Sequence, residues 1–299
     1  MKILLTGSTG QLGKALIASA PKFINAIPVH LIKSTRSTLN LANSDECFAA
    51  VNYYRPDWIV NTGAFTSVEE AETNPGLAFS INAEAPKSFA KALHKFGGQL
   101  LHLSTDFVFD GLERSPYSPL HKRNPLNNYG ISKALGEQAI EELLFPTKQA
   151  TILRTSWLMG PVGNNFLLTI LRLHKERNEI SVISDQIGCP TSTVTLAKVC
   201  WKFIELYQGK IIQSLNYLHW SDLGIASWYE VAIKIGEFAY ELDLISQMAN
   251  VIPIMSSEYP SKVNRPKYSV LNSDETVEKL SISNTHWNIT IKNILKDLI

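Results

Sequence analysis

The chain has 299 residues, of which 45% are hydrophobic, and its formal net charge at pH 7 is +1. This length predicts one large domain or two closely joined domains, and the near-neutral charge gives no electrostatic case for binding nucleic acid or an anionic membrane. No apolar run reaches the roughly 18 residues that a membrane helix needs. The three cysteines, Cys47, Cys189 and Cys200, form no C-x-x-C pair and indicate reduced thiols in a cytoplasmic protein.

The first predicted element is a short strand that leads directly into a glycine-rich loop. Residues 3–5 are Ile-Leu-Leu, an apolar run typical of a strand buried on both faces. Gly7, Gly10 and Gly13 follow with G-x-x-G-x-x-G spacing, and an apolar helix is predicted over residues 11–20. Such glycines allow a tight turn, close backbone approach to a pyrophosphate and close packing of helix on strand. The opening therefore predicts a dinucleotide-binding loop.

Strands and helices alternate through the first half of the chain. The predicted strands are residues 2–6, 30–33, 58–61, 99–104 and 150–154. The predicted helices are residues 11–20, 45–54, 75–96 and 128–144. This alternation predicts an α/β fold with a Rossmann doubly wound parallel sheet, in which ligands bind at the carboxyl ends of the strands.

After residue 155 the alternation becomes less regular. Further helices are predicted over residues 165–177, 194–207 and 227–241. We interpret residues 1–155 as an NAD(P)-binding Rossmann domain and residues 156–299 as a smaller C-terminal substrate-binding lobe. The chain of this lobe is expected to cross back to the Rossmann sheet, so the boundary is approximate.

The ends of the second and third strands carry the next candidates for cofactor binding. NAD-selective enzymes often place an acid after the second strand, where it binds the adenosine ribose. This chain instead has Arg36, with Lys33 nearby, and the pair predicts recognition of the 2′-phosphate of NADPH, with NADH as the alternative. Asn40 and Leu41 are predicted to lie beside the adenine. The small residues within 61–66 permit close packing of the cofactor.

The fourth strand and the helix over residues 128–144 carry the candidate catalytic groups. Tyr129 and Lys133 lie at i and i+4, on one face of that helix. An ammonium near a phenol is expected to lower a pKa that is normally about 10, which suits proton exchange with a carbonyl or alcohol oxygen. Ser104 or Thr105 is predicted to hydrogen-bond the same carbonyl. Asp106 is interpreted, on residue type alone, as a cap or turn former.

These motifs, together with others later in the chain, resemble the dTDP-4-dehydrorhamnose reductase family of the extended short-chain dehydrogenase/reductase superfamily. The matching segments are residues 7–13, 35–37, 61–72, 104–111, 125–130, 154–157, 163–166, 185–191, 227–230 and 265–271. The resemblance spans nearly the whole chain. It implies NAD(P)H-dependent reduction of the C4 keto group of dTDP-4-dehydrorhamnose to dTDP-L-rhamnose, the last step in making that sugar nucleotide for surface polysaccharide.

The resemblance also implies roles for individual residues. The cofactor contacts that it implies are Gly7, Gly10, Gln11, Leu12, Ala64, Phe65 and Thr66. Tyr129 becomes the proton donor, Lys133 tunes it and holds the nicotinamide ribose, and Thr105 supplies the supporting hydroxyl. Thr105 and Asp106 are expected to touch the sugar. Trp157 is expected to line the nucleotide-sugar site, and Arg265 is a candidate to neutralise the diphosphate by bidentate hydrogen bonding.

The chain departs from the family pattern at several positions. The family usually has Tyr where this chain has Phe107, often has Asp at Asn40, and often has an acid near residues 119–121. Some members dimerise around a metal held by glutamates. The corresponding positions here are Ala15, Val194 and Asn288. None of these residues is a carboxylate ligand, so we predict no metal and a monomer or homodimer without a metal bridge.

Two alternatives remain open at this stage. One is a reductase or epimerase of the same superfamily that acts on another nucleotide sugar, for which Phe107 and the altered segment 119–121 leave room. The other is a non-catalytic regulatory subunit of the methionine adenosyltransferase type. Because Thr105, Tyr129 and Lys133 are all present, we favour an enzyme.

Overall fold

The computed structural model describes residues 1–212, 215–261 and 263–299. Its strands are β1 (Lys2–Thr6), β2 (Phe23–Ile24), β3 (Ile27–Pro28), β4 (His30–Lys33), β5 (Trp58–Asn61), β6 (Gln99–Thr105), β7 (Ala150–Thr155), β8 (Leu158–Met159), β9 (Glu179–Ile183), β10 (Ile187–Gly188), β11 (Thr191–Ser192), β12 (Tyr217–Trp220), β13 (Ala226–Ser227) and β14 (Asn250–Ile254). Its α-helices are α1 (Gln11–Ala18), α2 (Ser44–Tyr54), α3 (Val68–Thr73), α4 (Pro75–Phe79), α5 (Ala85–Phe96), α6 (Asn128–Leu144), α7 (Phe166–Glu176), α8 (Thr193–Gln208), α9 (Trp228–Glu241), α10 (Asp274–Leu280) and α11 (Trp287–Lys296).

A six-stranded parallel sheet forms the centre of the fold, in the order β12-β7-β6-β5-β1-β4. Ile3, Leu4 and Leu5 of β1 are buried, with apolar residues packed on both faces of the strand. The strand order reverses beside β1, so the carboxyl ends of β1 and its neighbours open onto one crevice. The predicted α/β fold with a Rossmann-type parallel sheet is confirmed.

The helix predicted over residues 75–96 is interrupted in the structure. One π-helical turn, Ser80–Glu84, separates α4 from α5. Pro86 has no N–H to donate to the carbonyl of Asn82, so the regular hydrogen-bond ladder fails at that point. The side chain of Asn82 instead accepts from the N–H of Phe65 and donates to its carbonyl, each at 2.9 Å. The interruption therefore fixes the loop that follows β5.

The second half of the chain contributes a strand to the central sheet that the sequence did not predict. β12 pairs in parallel with β7, with Tyr217 opposite Ile152. The strand has the sequence Tyr-Leu-His-Trp, and the buried His219 interrupts the continuous apolar run that is typical of a strand buried on both faces. α8 packs against α1 on one face of the sheet, where Leu196 and Phe203 join the core around Leu16. The division at residue 155 stays a prediction.

A separate apolar core lies in the second half of the chain. It is built from α7, α9 and α11, which contribute Ile170, Ile235 and Ile291 among others. β9 and β14 form a parallel pair beside it. Within the described ranges, no helix is both long enough and apolar enough to cross a membrane.

Candidate active site

A cleft of about 720 Å³ opens between the carboxyl edge of the sheet and the second half of the chain. The predicted site residues that line it are Gly7, Gly10, Gln11, Leu12, Ala64, Thr66, Thr105, Asp106, Tyr129, Lys133, Trp157 and Arg265. The predicted residues outside this lining are Lys33, Arg36, Asn40, Leu41 and Phe65. The structure thus brings the candidate catalytic groups and most candidate cofactor contacts into one cavity.

The glycine loop forms one wall of the cleft and fits a dinucleotide pyrophosphate. Gly7 has a φ of +65°, and a Cβ there would lie 2.7 Å from the Cα of Gly63. A Cβ on Gly13 would collide with the carbonyl oxygen of Gly7. The residue at the N-terminal cap of α1 is Gly10, which has no side chain with which to cap the helix. The first-turn N–H groups of α1 therefore stay available to an anion in the cleft.

The predicted residues outside the cleft lining lie in the segments that follow β4 and β5, except Lys33, which is the exposed last residue of β4. Arg36 is exposed in the turn after β4. The N–H of Asn40 donates to Glu46 Oε2 at 3.0 Å. The side chain of Leu41 lies where a Cβ on Gly63 would be, and the peptide of Phe65 is held by Asn82. None of these contacts involves the guanidinium of Arg36.

Thr105 ends β6 and is held by its own turn. Its hydroxyl donates to Asp106 Oδ1 at 3.1 Å and accepts from the N–H of Phe107 at 3.2 Å. Asp106 is 2% exposed, and burial raises the pKa of its carboxyl to about 6, against hydrogen bonds that lower it. The carboxyl group predicted as a cap or turn former is therefore also a buried acid that lines the cleft.

Tyr129 and Lys133 project from α6, which begins under a side-chain cap from Asn127. The ring of Tyr129 packs edge-to-face against Phe107, with 5.5 Å between the centroids. Burial raises the pKa of Tyr129 to about 12, although a hydrogen bond with Thr105 opposes the rise. The prediction that the ammonium of Lys133 lowers this pKa is wrong, because burial of the phenol and the charge of Asp106 raise it. At neutral pH the phenol is therefore protonated.

Lys133 is 3% exposed, and its ammonium donates to the carbonyl oxygen of Leu103 at 2.7 Å. Burial lowers the pKa of Lys133 to about 8, and the negative charge of Glu137 opposes that effect. Lys133 is thus mostly charged at neutral pH, but its pKa lies only slightly above that pH.

The second half of the chain closes the opposite side of the cleft. Trp157 has a φ of +45° and stacks on Trp228, with 3.5 Å between ring centroids and 6° between planes. Arg265 lines the cleft and forms an ion pair with Glu69. Asn165 donates to Gln11 Oε1 at 2.8 Å, so the glycine loop is bonded to the second half.

Several cleft residues were not among the predicted contacts. They are Asn165, Phe166, Gln186, Trp228 and Ser269. All lie in segments that carry the family resemblance, but none has a spacing that indicates a role by itself. No group of three or more His, Cys, Asp or Glu residues in the described ranges is placed to hold a metal ion.

Comparison with known proteins identifies the family. A family model described as the RmlD substrate binding domain matches residues 1–299. The chain is 34% identical over 294 residues to the dTDP-4-dehydrorhamnose reductase of Aggregatibacter actinomycetemcomitans, with 98% of each chain covered. The chain belongs to the dTDP-4-dehydrorhamnose reductase family. It is also 36% identical over 296 residues to the spore coat polysaccharide biosynthesis protein SpsK of Bacillus subtilis, covering 99% of this chain and 97% of that one.

A solved structure of a family member agrees with the fold. The crystal structure of dTDP-4-dehydrorhamnose reductase from Bacillus anthracis, in complex with NADP, superposes with a TM-score of 0.87. The two chains are 33% identical, and 99% of each is covered. The resemblance to the dTDP-4-dehydrorhamnose reductase family is confirmed.

Proposed function

We propose that this protein reduces the C4 keto group of dTDP-4-dehydrorhamnose to give dTDP-L-rhamnose, with NADPH as reductant. The observation that carries the proposal is the convergence of Thr105, Tyr129 and Lys133 beside the glycine loop in one cleft. NADPH, when bound, supplies the hydride for the carbonyl carbon. The protein supplies the proton for the oxygen and holds both reactants in place.

Tyr129 is the proton donor in this proposal. Burial raises the pKa of its phenol to about 12, so the proton is present at neutral pH. The hydroxyl of Thr105 hydrogen-bonds the same carbonyl oxygen and orients it toward the phenol. Lys133 stabilises the phenolate that remains after transfer, because an ammonium nearby favours the charged form of an acid. It also binds the nicotinamide ribose hydroxyls.

The cofactor lies along the glycine loop in this proposal. The free N–H groups at the start of α1 bind the pyrophosphate, and the proposed contacts are Gly7, Gly10, Gln11, Leu12, Ala64, Phe65 and Thr66. Arg36 binds the 2′-phosphate of NADPH, while Asn40 and Leu41 lie beside the adenine. Because the guanidinium of Arg36 is exposed, it is accessible to that phosphate.

The nucleotide sugar lies against the second half of the chain. Trp157, supported by its stack on Trp228, offers a flat face to a sugar or base. Thr105 and Asp106 contact the hexulose. Arg265 exchanges its ion pair with Glu69 for the diphosphate, which a guanidinium can bind through two parallel hydrogen bonds.

We also propose a cytoplasmic location and a monomer or homodimer without a bridging metal. Cys47, Cys189 and Cys200 are free and buried, which suits a reducing compartment. Ala15, Val194 and Asn288 offer no carboxylate at the positions where some family members hold a metal.

The decisive experiment follows the absorbance of NADPH in the presence of dTDP-4-dehydrorhamnose, with the product identified by NMR. Turnover to dTDP-L-rhamnose supports the proposal. Faster turnover of the corresponding UDP- or GDP-linked keto sugar would assign a different substrate. NADPH binding without turnover of any of them would favour a regulatory protein.

Arg36→Ala is expected to weaken NADPH binding about 10- to 100-fold, because a hydrogen bond to a charged group contributes roughly 1.5–3 kcal/mol. NADH, which has no 2′-phosphate, should bind almost unchanged. Titration of protein fluorescence with each cofactor measures both constants. Arg172→Ala is the control, because Arg172 is an exposed residue of α7 that pairs with Glu176. Equal losses for both cofactors would remove Arg36 from phosphate recognition.

A further inference from the structure

A buried cluster of charges lies directly behind Lys133. Glu137 follows Lys133 by one helical turn on α6 and is fully buried. Arg154 on β7 donates from Nε to Glu137 Oε1 at 2.9 Å and from Nη2 to Oε2 at 2.7 Å. Arg123 donates from Nη1 to the same Oε2 at 3.0 Å. Both oxygens of Glu137 are therefore held in a fixed geometry, on the residue one helical turn after Lys133.

The guanidinium of Arg154 is itself anchored from several elements. Its Nη1 donates to the carbonyl oxygen of Pro119 at 2.9 Å and lies 3.2 Å from His219 Nε2. The rings of Phe109 and Tyr217 cover it, with 5.1 and 4.4 Å from the guanidinium carbon to their centroids. Burial by itself would raise the pKa of Glu137, but the charge of Arg154 and its hydrogen bonds lower that pKa to about 2. Glu137 is thus a permanent anion.

Of the titratable groups near Lys133, Glu137 is the anion whose charge raises the pKa of the lysine. Titratable groups surround the cluster on every side. They are Tyr129, Glu137 and Glu141 on α6, His102 and Asp106 at β6, Arg154 on β7, Tyr217 and His219 on β12, and Arg123 before α6. His102 is neutral, because burial and the charge of Lys133 lower its pKa well below the usual value. Asn61 also donates to its Nδ1 at 2.9 Å. Among these groups, only the charge of Glu137 raises the pKa of Lys133.

We propose that Glu137 is a positioning residue for the reaction, whose buried carboxylate, fixed by Arg154 and Arg123, keeps the Lys133 side chain charged beside Tyr129. This inference rests on the proposed function of the cleft. Burial lowers the pKa of Lys133 to about 8, so activity that needs the ammonium is lost as pH rises through that value. Without the charge of Glu137, the same loss begins at a lower pH.

The test is the pH dependence of kcat/KM for Glu137→Gln, with NADPH and dTDP-4-dehydrorhamnose. We expect the alkaline limb to move down by about one pH unit, since Glu137 and Lys133 are buried i, i+4 neighbours on α6 and an opposite charge nearby shifts a pKa by roughly that much. Glu141→Gln is the matched control, because Glu141 also pairs with Arg123 but is partly exposed. Its alkaline limb should stay in place. Lower activity of Glu137→Gln at every pH, with an unmoved limb, would mean a merely structural role and would overturn the proposal.

A second variant and a second readout keep the test decisive. If Glu137→Gln does not fold, Glu137→Met combined with Arg154→Met removes both charges of the buried pair. Because loss of the Arg154 cation offsets part of the loss of the Glu137 anion, the limb should still move down, but by less than in Glu137→Gln. The titration of Lys133 is followed by NMR of protein carrying 13C-labelled lysine, with Lys133→Met for assignment. A fall in the pKa of Lys133 without Glu137 supports the inference even if the sugar proves to be a different one, and an unchanged pKa overturns it.

Discussion

Tyr129→Phe should lower kcat about 100- to 10,000-fold, the range typical for loss of a positioned general acid. The substitution removes the hydroxyl but keeps the ring that packs against Phe107. The binding of NADPH should change little, because the substitution leaves Lys133, the glycine loop and the other proposed cofactor contacts unchanged. Single-turnover measurement of NADPH oxidation, together with fluorescence titration of the cofactor, separates the two effects.

Tyr117→Phe is the matched control for this prediction. Tyr117 is also buried, its pKa is also raised to about 12 by burial, and its hydroxyl donates to Asp110 at 2.9 Å outside the cleft lining. Its loss should reduce stability by about 1 kcal/mol and leave turnover intact. If Tyr129→Phe kept turnover comparable with that of the control, another group would have to supply the proton.

The sequence predicted the parts of this cleft that depend on local spacing. The glycine loop is a contiguous motif, and Tyr129 and Lys133 share a face because helical geometry places i and i+4 together. The bounds of α6 match the predicted range of residues 128–144, and the side chain of Asn127 caps its start. These features need no knowledge of distant partners.

Features that arise from tertiary packing were not predictable in the same way. The prediction of a lowered pKa for Tyr129 took only Lys133 into account. Burial of the phenol by several elements raises that pKa instead. The interruption at Ser80–Glu84 depends on Pro86 and on the hydrogen bond between the side chain of Asn82 and the backbone of Phe65. Trp157 and Trp228 are far apart in sequence and stack only when the second half of the chain folds.

The ion cluster behind Lys133 is a further case of this kind. Glu137 looks like an ordinary helical surface acid in the sequence, yet it is fully buried. Burial of a carboxylate is tolerated only with paired charges and hydrogen bonds. Arg154 and Arg123 provide both, and they come from β7 and from the loop before α6. One network therefore joins the sheet, α6 and the candidate catalytic lysine.

Arg154→Met should be the most destabilising single change in this network, at about 3–5 kcal/mol at pH 7, because it leaves Glu137 buried with only Arg123 as a partner. Glu137 has its pKa lowered to about 2 in the folded protein, so its pairing contributes stability above its ordinary pKa of 4.5, and that contribution is lost as pH falls toward 2. Without Arg154 the pKa of Glu137 rises. The destabilisation should therefore be smaller at pH 5 than at pH 7, as urea unfolding at both values will measure.

Two further variants separate the buried charge from the packing of the long side chain. Arg154→Met combined with Glu137→Met removes both charges and should recover much of the lost stability, since apolar replacement of a buried pair is often neutral or stabilising. Arg172→Met breaks an exposed pair with Glu176 and should cost less than about 1 kcal/mol. A different outcome would be a double variant that is as unstable as Arg154→Met, with the same loss of stability at pH 5 and pH 7. That result would show that Arg154 contributes to the fold by packing under Phe109 and Tyr217, and not by neutralising Glu137.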